Sequence, residues 1–208
     1  MALANGPMSY LRFVALGDLP EEFESVWAHA LTDHAFEDID PGGDLQRSFG
    51  WVAFDDALSG QFDAARLVGK GGVILLRMRV DTLRVPAATL KAHVEHAIAE
   101  VLQTRDGARL SRAERAMITI DVRKKLRHKS LPKMQLIEAA WSIGTGEIRV
   151  LSTSKTVAAL FVDLFERTFS LTLRIVGPRT VLWLRGVEEE EIEALEALEP
   201  AAFHLREV

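Results

Sequence analysis

The chain has 208 residues, 48% of them hydrophobic and 26% charged, with a formal net charge of −5; that suits a globular protein with a sizeable core. It has no cysteine, which excludes disulfides and thiolate metal sites. No apolar run approaches the roughly 20 residues of a membrane-spanning helix, and MALANGPMSY lacks the pattern of a signal peptide, so a cytoplasmic protein without a membrane partner is expected.

Residues 9–16, SYLRFVAL, read as a strand. Asp18, Pro20 and Glu21 then form a helix-start pattern, a capping box with proline in the first turn. Phe23, Trp27, Ala30, Leu31 and His34 fall on one face of that helix. EDIDPGGD at 37–44 is an acidic loop whose spacing is not that of a calcium site. SFGWVAF at 48–54 is a strand, and a clearer one lies within 71–86. There Ile74, Leu76, Met78 and Val80 alternate with Arg77, Arg79 and Asp81, the period of a half-buried strand.

Pro86 opens a helix with the stripe Leu90, Val94, Ala97, Ile98 and Val101, and Gly107 is placed to end it. His93, His96 and Glu100 lie beside that stripe, but three donors on one helix do not readily converge on an ion; no metal and no other cofactor is expected. SRAE at 111–114 is a second capping box. It starts a helix, although ITIDVR at 118–123 also alternates as a strand would. Residues 133–152 read as a hairpin turning at Gly144-Thr145-Gly146, followed by a helix capped by Ser152 or Ser154 with Val157, Leu160, Phe161, Leu164 and Phe165 inward. Residues 171–186 read as a third hairpin turning at Gly177-Pro178, before a Glu-rich helix with Ile192, Leu195 and Leu198 on one side.

A strand-strand-helix unit thus recurs around 48–105, 133–169 and 171–199. The expected fold is α+β, with antiparallel sheets built from such units and helices on one face. The organisation divides into 8–105, holding the first strand, its helix and the first hairpin-helix unit; a basic helical segment at 106–133; and 134–208 with the other two units, the alternative being one continuous domain.

Charge is segregated. DVRKKLRHKSLPK, residues 121–133, holds six Lys or Arg against one Asp. Residues 187–199 hold seven Glu and no base. The basic stretch has few apolar residues beyond Val122, so it should project from the body. Catalytic signatures are scarce: VGKGGV at 68–73 lacks the closing Lys-Ser/Thr of a phosphate-binding loop, and neither a nucleophile elbow nor a His-Glu-x-x-His pattern occurs. No enzyme is expected.

The order of GWVAFDDAL after an acidic loop, GGVILLRMRVDTLRVPAATLKAHVEHAI, a basic helix ending in Leu131-Pro132-Lys133, and WSIGTGEIRVLSTSKTVAALFVDLFERTF resembles the recombination-associated protein RdgC family over about residues 8–185. Gln135 stands where that family carries an aromatic residue. The resemblance implies a homodimeric protein, cytoplasmic and associated with the nucleoid. It would occupy or encircle double-stranded DNA without sequence specificity and so restrain a recombinase in homologous recombination. Arg123, Lys124, Lys125, Arg127, Lys129 and Lys133 are then the expected phosphate contacts, because Lys and Arg neutralise phosphates and release counterions without reading bases. Arg77 and Arg79, on the outward face of their strand, would extend that surface. The alternatives are a protein-interaction module that keeps the fold without DNA binding and, less well supported by the motifs, a nuclease.

Overall fold

The computed structural model describes residues 9–104 and 109–198. The elements run β1 (Leu11–Leu16), α1 (Phe23–Asp33), β2 (Arg47–Val52), α2 (Ala64–Leu67), β3 (Val68–Gly69), β4 (Val73–Thr82), α3 (Ala87–Gln103), α4 (Arg112–Lys129), β5 (Lys133–Ser142), β6 (Glu147–Val150), α5 (Lys155–Phe169), β7 (Thr172–Ile175), α6 (Pro178–Leu184) and α7 (Glu189–Glu196). The strands form one antiparallel sheet in the order β2-β4-β5-β6-β1-β7, with β3 also paired to β4. The fold is α+β, as its alternating strands and amphipathic helices lead one to expect.

Sheet register explains the core. Met78 lies opposite both Trp51 and Ile137, and Ile74 lies opposite Trp141. Trp141 in turn faces Ile148. These residues put their side chains on one face, where α1 and α5 supply Trp27, Leu31, Phe161, Phe165 and Phe169. Rings meet edge-on: Trp51 and Phe161 have centroids 5.6 Å apart at 89°, and Trp27 and Phe169 lie 5.3 Å apart at 81°. Such contacts add to area burial because ring edges and faces carry opposite partial charge. The buried Trp51 indole N–H donates to Thr168 Oγ1 at 2.8 Å, and that hydroxyl donates to the Leu164 carbonyl at 2.7 Å. The polar end of a core tryptophan is thereby satisfied.

Several local expectations hold. The Ser111–Glu114 capping box starts α4, with both reciprocal bonds present at 3.2 and 2.8 Å, and α4 is helical through 118–123. Ser154 caps α5. Others need correction. The cap of α1 is Glu22, in the left-handed region at φ 52° and without a side-chain bond, so the Asp18–Glu21 pattern sits too early. The third hairpin is absent. Residues 172–175 pair with β1 as β7, and Pro178 begins α6 at its first turn. Proline suits a helix start as well as a turn, because the lost N–H has no partner at either place. The last proposed unit is therefore strand-helix-helix. Gly107, read as a helix terminator, lies outside the described residues.

Candidate nucleic-acid interface

Helices α3 and α4 pack chiefly on each other. The stripe Leu90, Val94, Ala97, Ile98 and Val101 is half-buried, and no residue of α3 is fully buried. Ile118, Val122 and Leu126 are the half-buried apolar positions of α4. Their spacing of four keeps them on one side, which leaves the rest of the helix to solvent. Along its 18 residues α4 carries seven Lys or Arg against Glu114 and Asp121. At 1.5 Å per residue the helix is about 27 Å long.

Arg123, Lys124, Lys125 and Lys129 are exposed, and none has an ion-pair partner among the described residues. Lys133, first residue of β5, is also exposed and unpaired. His128 and Lys129 lie in the last turn with Arg127, where positive charge complements the exposed carbonyls of the helix end. Arg112 and Arg115 are exposed on the same helix and extend the positive surface toward its start. Attention to the dense stretch 121–133 passes over them, although the wider excess of base from 105 to 133 contains the signal.

Arg127 is placed differently. It is 8% exposed. Its Nε donates to the Pro41 carbonyl at 3.0 Å, and its Nη2 donates to the carbonyls of Leu45 at 2.8 Å and Asp40 at 3.4 Å. The guanidinium faces inward and ties the end of α4 to the acidic loop. The basic end of the helix is therefore anchored, which corrects the expectation that it projects freely. The loop's carbonyls turn toward a donor fork that only arginine presents.

Arg77 and Arg79 are on the sheet face opposite the core, as their alternation indicates, but they are not at the surface; each is 8% exposed. Arg77 bonds Glu138 at 2.8 Å on the neighbouring strand and lies over the Phe54 ring at 4.6 Å. Arg79 bonds Asp81 at 2.6 and 3.0 Å, reaches Asp38 at 3.4 Å, and lies over Phe36 at 4.0 Å. The hydrogen bonds that Arg79 donates to the Asp81 carboxylate raise the Arg79 pKa above its ordinary value. Both cations are neutralised in place. They do not extend the positive surface, because Glu138 on the neighbouring strand engages Arg77 and Asp81, two residues along the same strand, engages Arg79.

Further along that face, Arg149 and Arg12 grip Glu147 at 2.9 and 3.1 Å. The Arg149 bond, with that from Arg12, holds the Glu147 carboxyl below its usual range. The histidines of α3 are exposed, and His96 approaches Glu100 at 3.4 Å. Among the described residues no group of three His, Asp or Glu is arranged to hold a metal ion, and no helix is long and apolar enough to cross a membrane. Comparison of the chain with protein-family models and with curated proteins finds no match.

Proposed function

We propose that this chain binds double-stranded DNA without sequence specificity and acts in homologous recombination or its control, keeping a recombinase off the duplex by occupying it. The observation that carries this reading is the density of exposed, unpaired cations, Arg123, Lys124, Lys125 and Lys129, around the basic half of one well-capped helix of an acidic chain. Charge of that density serves phosphate, and it sits on a rigid element where it can hold register along a backbone. The motif order shared with the RdgC family supports the recombination context and a nucleoid-associated homodimer.

The test replaces Lys124, Lys125 and Lys129 together by alanine. Loss of three phosphate contacts should lower duplex affinity and reduce the slope of log affinity against log salt by about 2.7. Circular dichroism and the urea midpoint should be unchanged, because exposed charges contribute little to stability. Unchanged affinity and slope would remove α4 from the DNA surface. For the homodimer, light scattering at tens of micromolar, an order-of-magnitude working range, should give twice the chain mass; the monomer mass alone would count against it.

A second reading, a protein-interaction module, draws on α7. On that helix Glu190, Glu191 and Glu193 are exposed beside the exposed Leu195, with exposed Glu188 at its start and exposed Leu198 just past its end. A mobility shift of duplex DNA that weakens with salt separates the two readings.

A further inference from the structure

Three of the four tryptophans, Trp27, Trp51 and Trp141, are core residues at most 2% exposed. The fourth, Trp183 on α6, is 51% exposed. Its indole has no ring, cation or hydrogen-bond partner among the described residues. It lines a cleft of about 600 Å³ together with Thr172, Arg174, Arg179, Thr180 and Glu189. The Thr180 hydroxyl donates to the Ile175 carbonyl at 2.7 Å and so fixes the start of α6 against the end of β7. Trp183 follows one turn later on the same short helix.

The charges of the cleft are sorted. Arg179 pairs with Glu189. Arg174 is exposed and unpaired on β7. A free aromatic face and an unengaged guanidinium in one cleft are the two parts that hold an unpaired nucleotide: the base stacks and the phosphate is neutralised. The volume lies within the range of small-ligand sites. A duplex cannot use such a cleft, because its bases are stacked on one another and turn no face outward. The Glu189 carboxylate sets a direction, since it repels phosphate on the Arg179 side and leaves Arg174 to take it.

We propose that this cleft holds an unpaired nucleotide of single-stranded DNA, the base on Trp183 and a phosphate on Arg174. The assignment rests on the reading of the chain as a DNA-binding protein and adds to it a second, single-strand contact separate from the α4 cations.

Intrinsic fluorescence tests it directly, because Trp183 alone among the tryptophans is open to solvent. The full chain is titrated with an oligothymidylate, with a short duplex and with thymidine monophosphate, while fluorescence anisotropy of labelled strands measures binding independently. The oligothymidylate should quench the solvent-exposed component, and the duplex should leave it unchanged. Trp183→Ala and Arg174→Ala should each weaken single-strand affinity, the former by about 5- to 150-fold, the range for loss of one stacked base. Both should leave duplex affinity within about twofold, since neither belongs to the phosphate row of α4. Both side chains are exposed, and the fluorescence of the three core tryptophans reports that the Trp183 variant is folded.

A Trp183 signal that stays constant while the labelled oligothymidylate saturates the protein overturns the assignment. So does an oligothymidylate that binds no tighter than the monophosphate, which would make the cleft a free-nucleotide site. If neither labelled duplex nor labelled single strand binds, the DNA reading falls and this assignment with it. Duplex binding with a silent Trp183 removes the cleft alone.

Discussion

Gly50 shows how a single residue sets the sheet edge. It is buried in β2, and a Cβ there would stand 2.6 Å from both the N and Cα atoms of Phe36 and 2.7 Å from the Ala35 carbonyl carbon. Those are backbone atoms, and they are pinned: Phe36 N–H donates to the Trp51 carbonyl at 2.9 Å, and Trp51 N–H donates to the His34 carbonyl at 3.0 Å. The residue is required for space. Gly50→Ala must push residues 34–36 off the strand, and Phe36 is the ring beneath Arg79. The expected loss is about 1–3 kcal/mol, the cost of forcing a methyl into a packed site, read as a lower urea midpoint; a midpoint equal to wild type would show that the segment yields freely. The same residues show where sequence reading stops. Arg77 and Arg79 were legible as the face opposite Met78 and Val80, because alternation fixes which way a strand side chain points. Their burial was not legible. Asp81, two residues from Arg79 on the same strand face, is a partner the alternation does place beside it, but Glu138 lies 61 positions from Arg77 and Asp38 lies 41 from Arg79, and no local pattern announces partners so remote. A charged residue on the solvent side of one strand becomes a buried ion pair only when a second strand and a loop are laid over it.

At the scale of an element, α4 combines two kinds of arginine and lysine that look alike in sequence. The exposed ones present unpaired charge to solvent; Arg127 makes three hydrogen bonds to neutral carbonyls. Arg127→Ala should therefore lower stability by about 2 kcal/mol, in the range for lost hydrogen bonds to a charged group. It should leave the salt slope of DNA binding unchanged, whereas Lys124→Ala and Lys125→Ala should each reduce that slope by about 0.9 and leave the urea midpoint alone. Arg127→Lys should not restore stability, because an ammonium cannot reach three carbonyls as a planar fork does. A slope that falls with Arg127→Ala would put its charge at the DNA. The helix itself was readable from its capping box, since the Ser111–Glu114 reciprocity is local. The inward turn of Arg127 was not, because its acceptors lie more than eighty positions away in the acidic loop. The misread hairpin at 171–186 has a similar origin. Gly177-Pro178 is compatible with a turn or a helix start, and a short apolar run such as VLWL carries no period long enough to choose. The neighbour settles it: β7 pairs with β1, at the far end of the chain, and leaves residues 178–184 without a strand partner.

For the whole molecule, segregation of charge outweighs its sum. The formal net charge is −5, yet charges in solution are screened over about 8 Å at physiological salt, so a phosphate at α4 responds to α4 and not to the total. Both ends of the charge pattern were visible in the sequence, while the sheet order that places them was not, because β1 inserts between β6 and β7 through pairings that span most of the chain. The edges of that sheet are also managed without a second copy. β7 has four residues, and Glu166 accepts the Leu173 N–H at 2.8 Å; β2 is bridged by the backbone at Ala35. A short, occupied edge is a poor template for strand addition, so a homodimer would meet through side-chain surfaces. If the local field governs DNA binding, reversing charge on the acidic helix should matter little. Glu190→Lys, Glu191→Lys and Glu193→Lys together raise the formal net charge by six, from −5 to +1. All three positions are exposed, so the fold should tolerate them. Duplex affinity at physiological salt should then change by less than about threefold if these charges lie more than a screening length from the bound duplex. The alanine triple at Lys124, Lys125 and Lys129 makes the net charge more negative by only three and should cost far more, with its slope reduced by about 2.7. A gain in duplex affinity from the α7 reversal that matches the loss from α4 would place the acidic helix beside the DNA path, and would make net charge, not the α4 row, the quantity that controls binding.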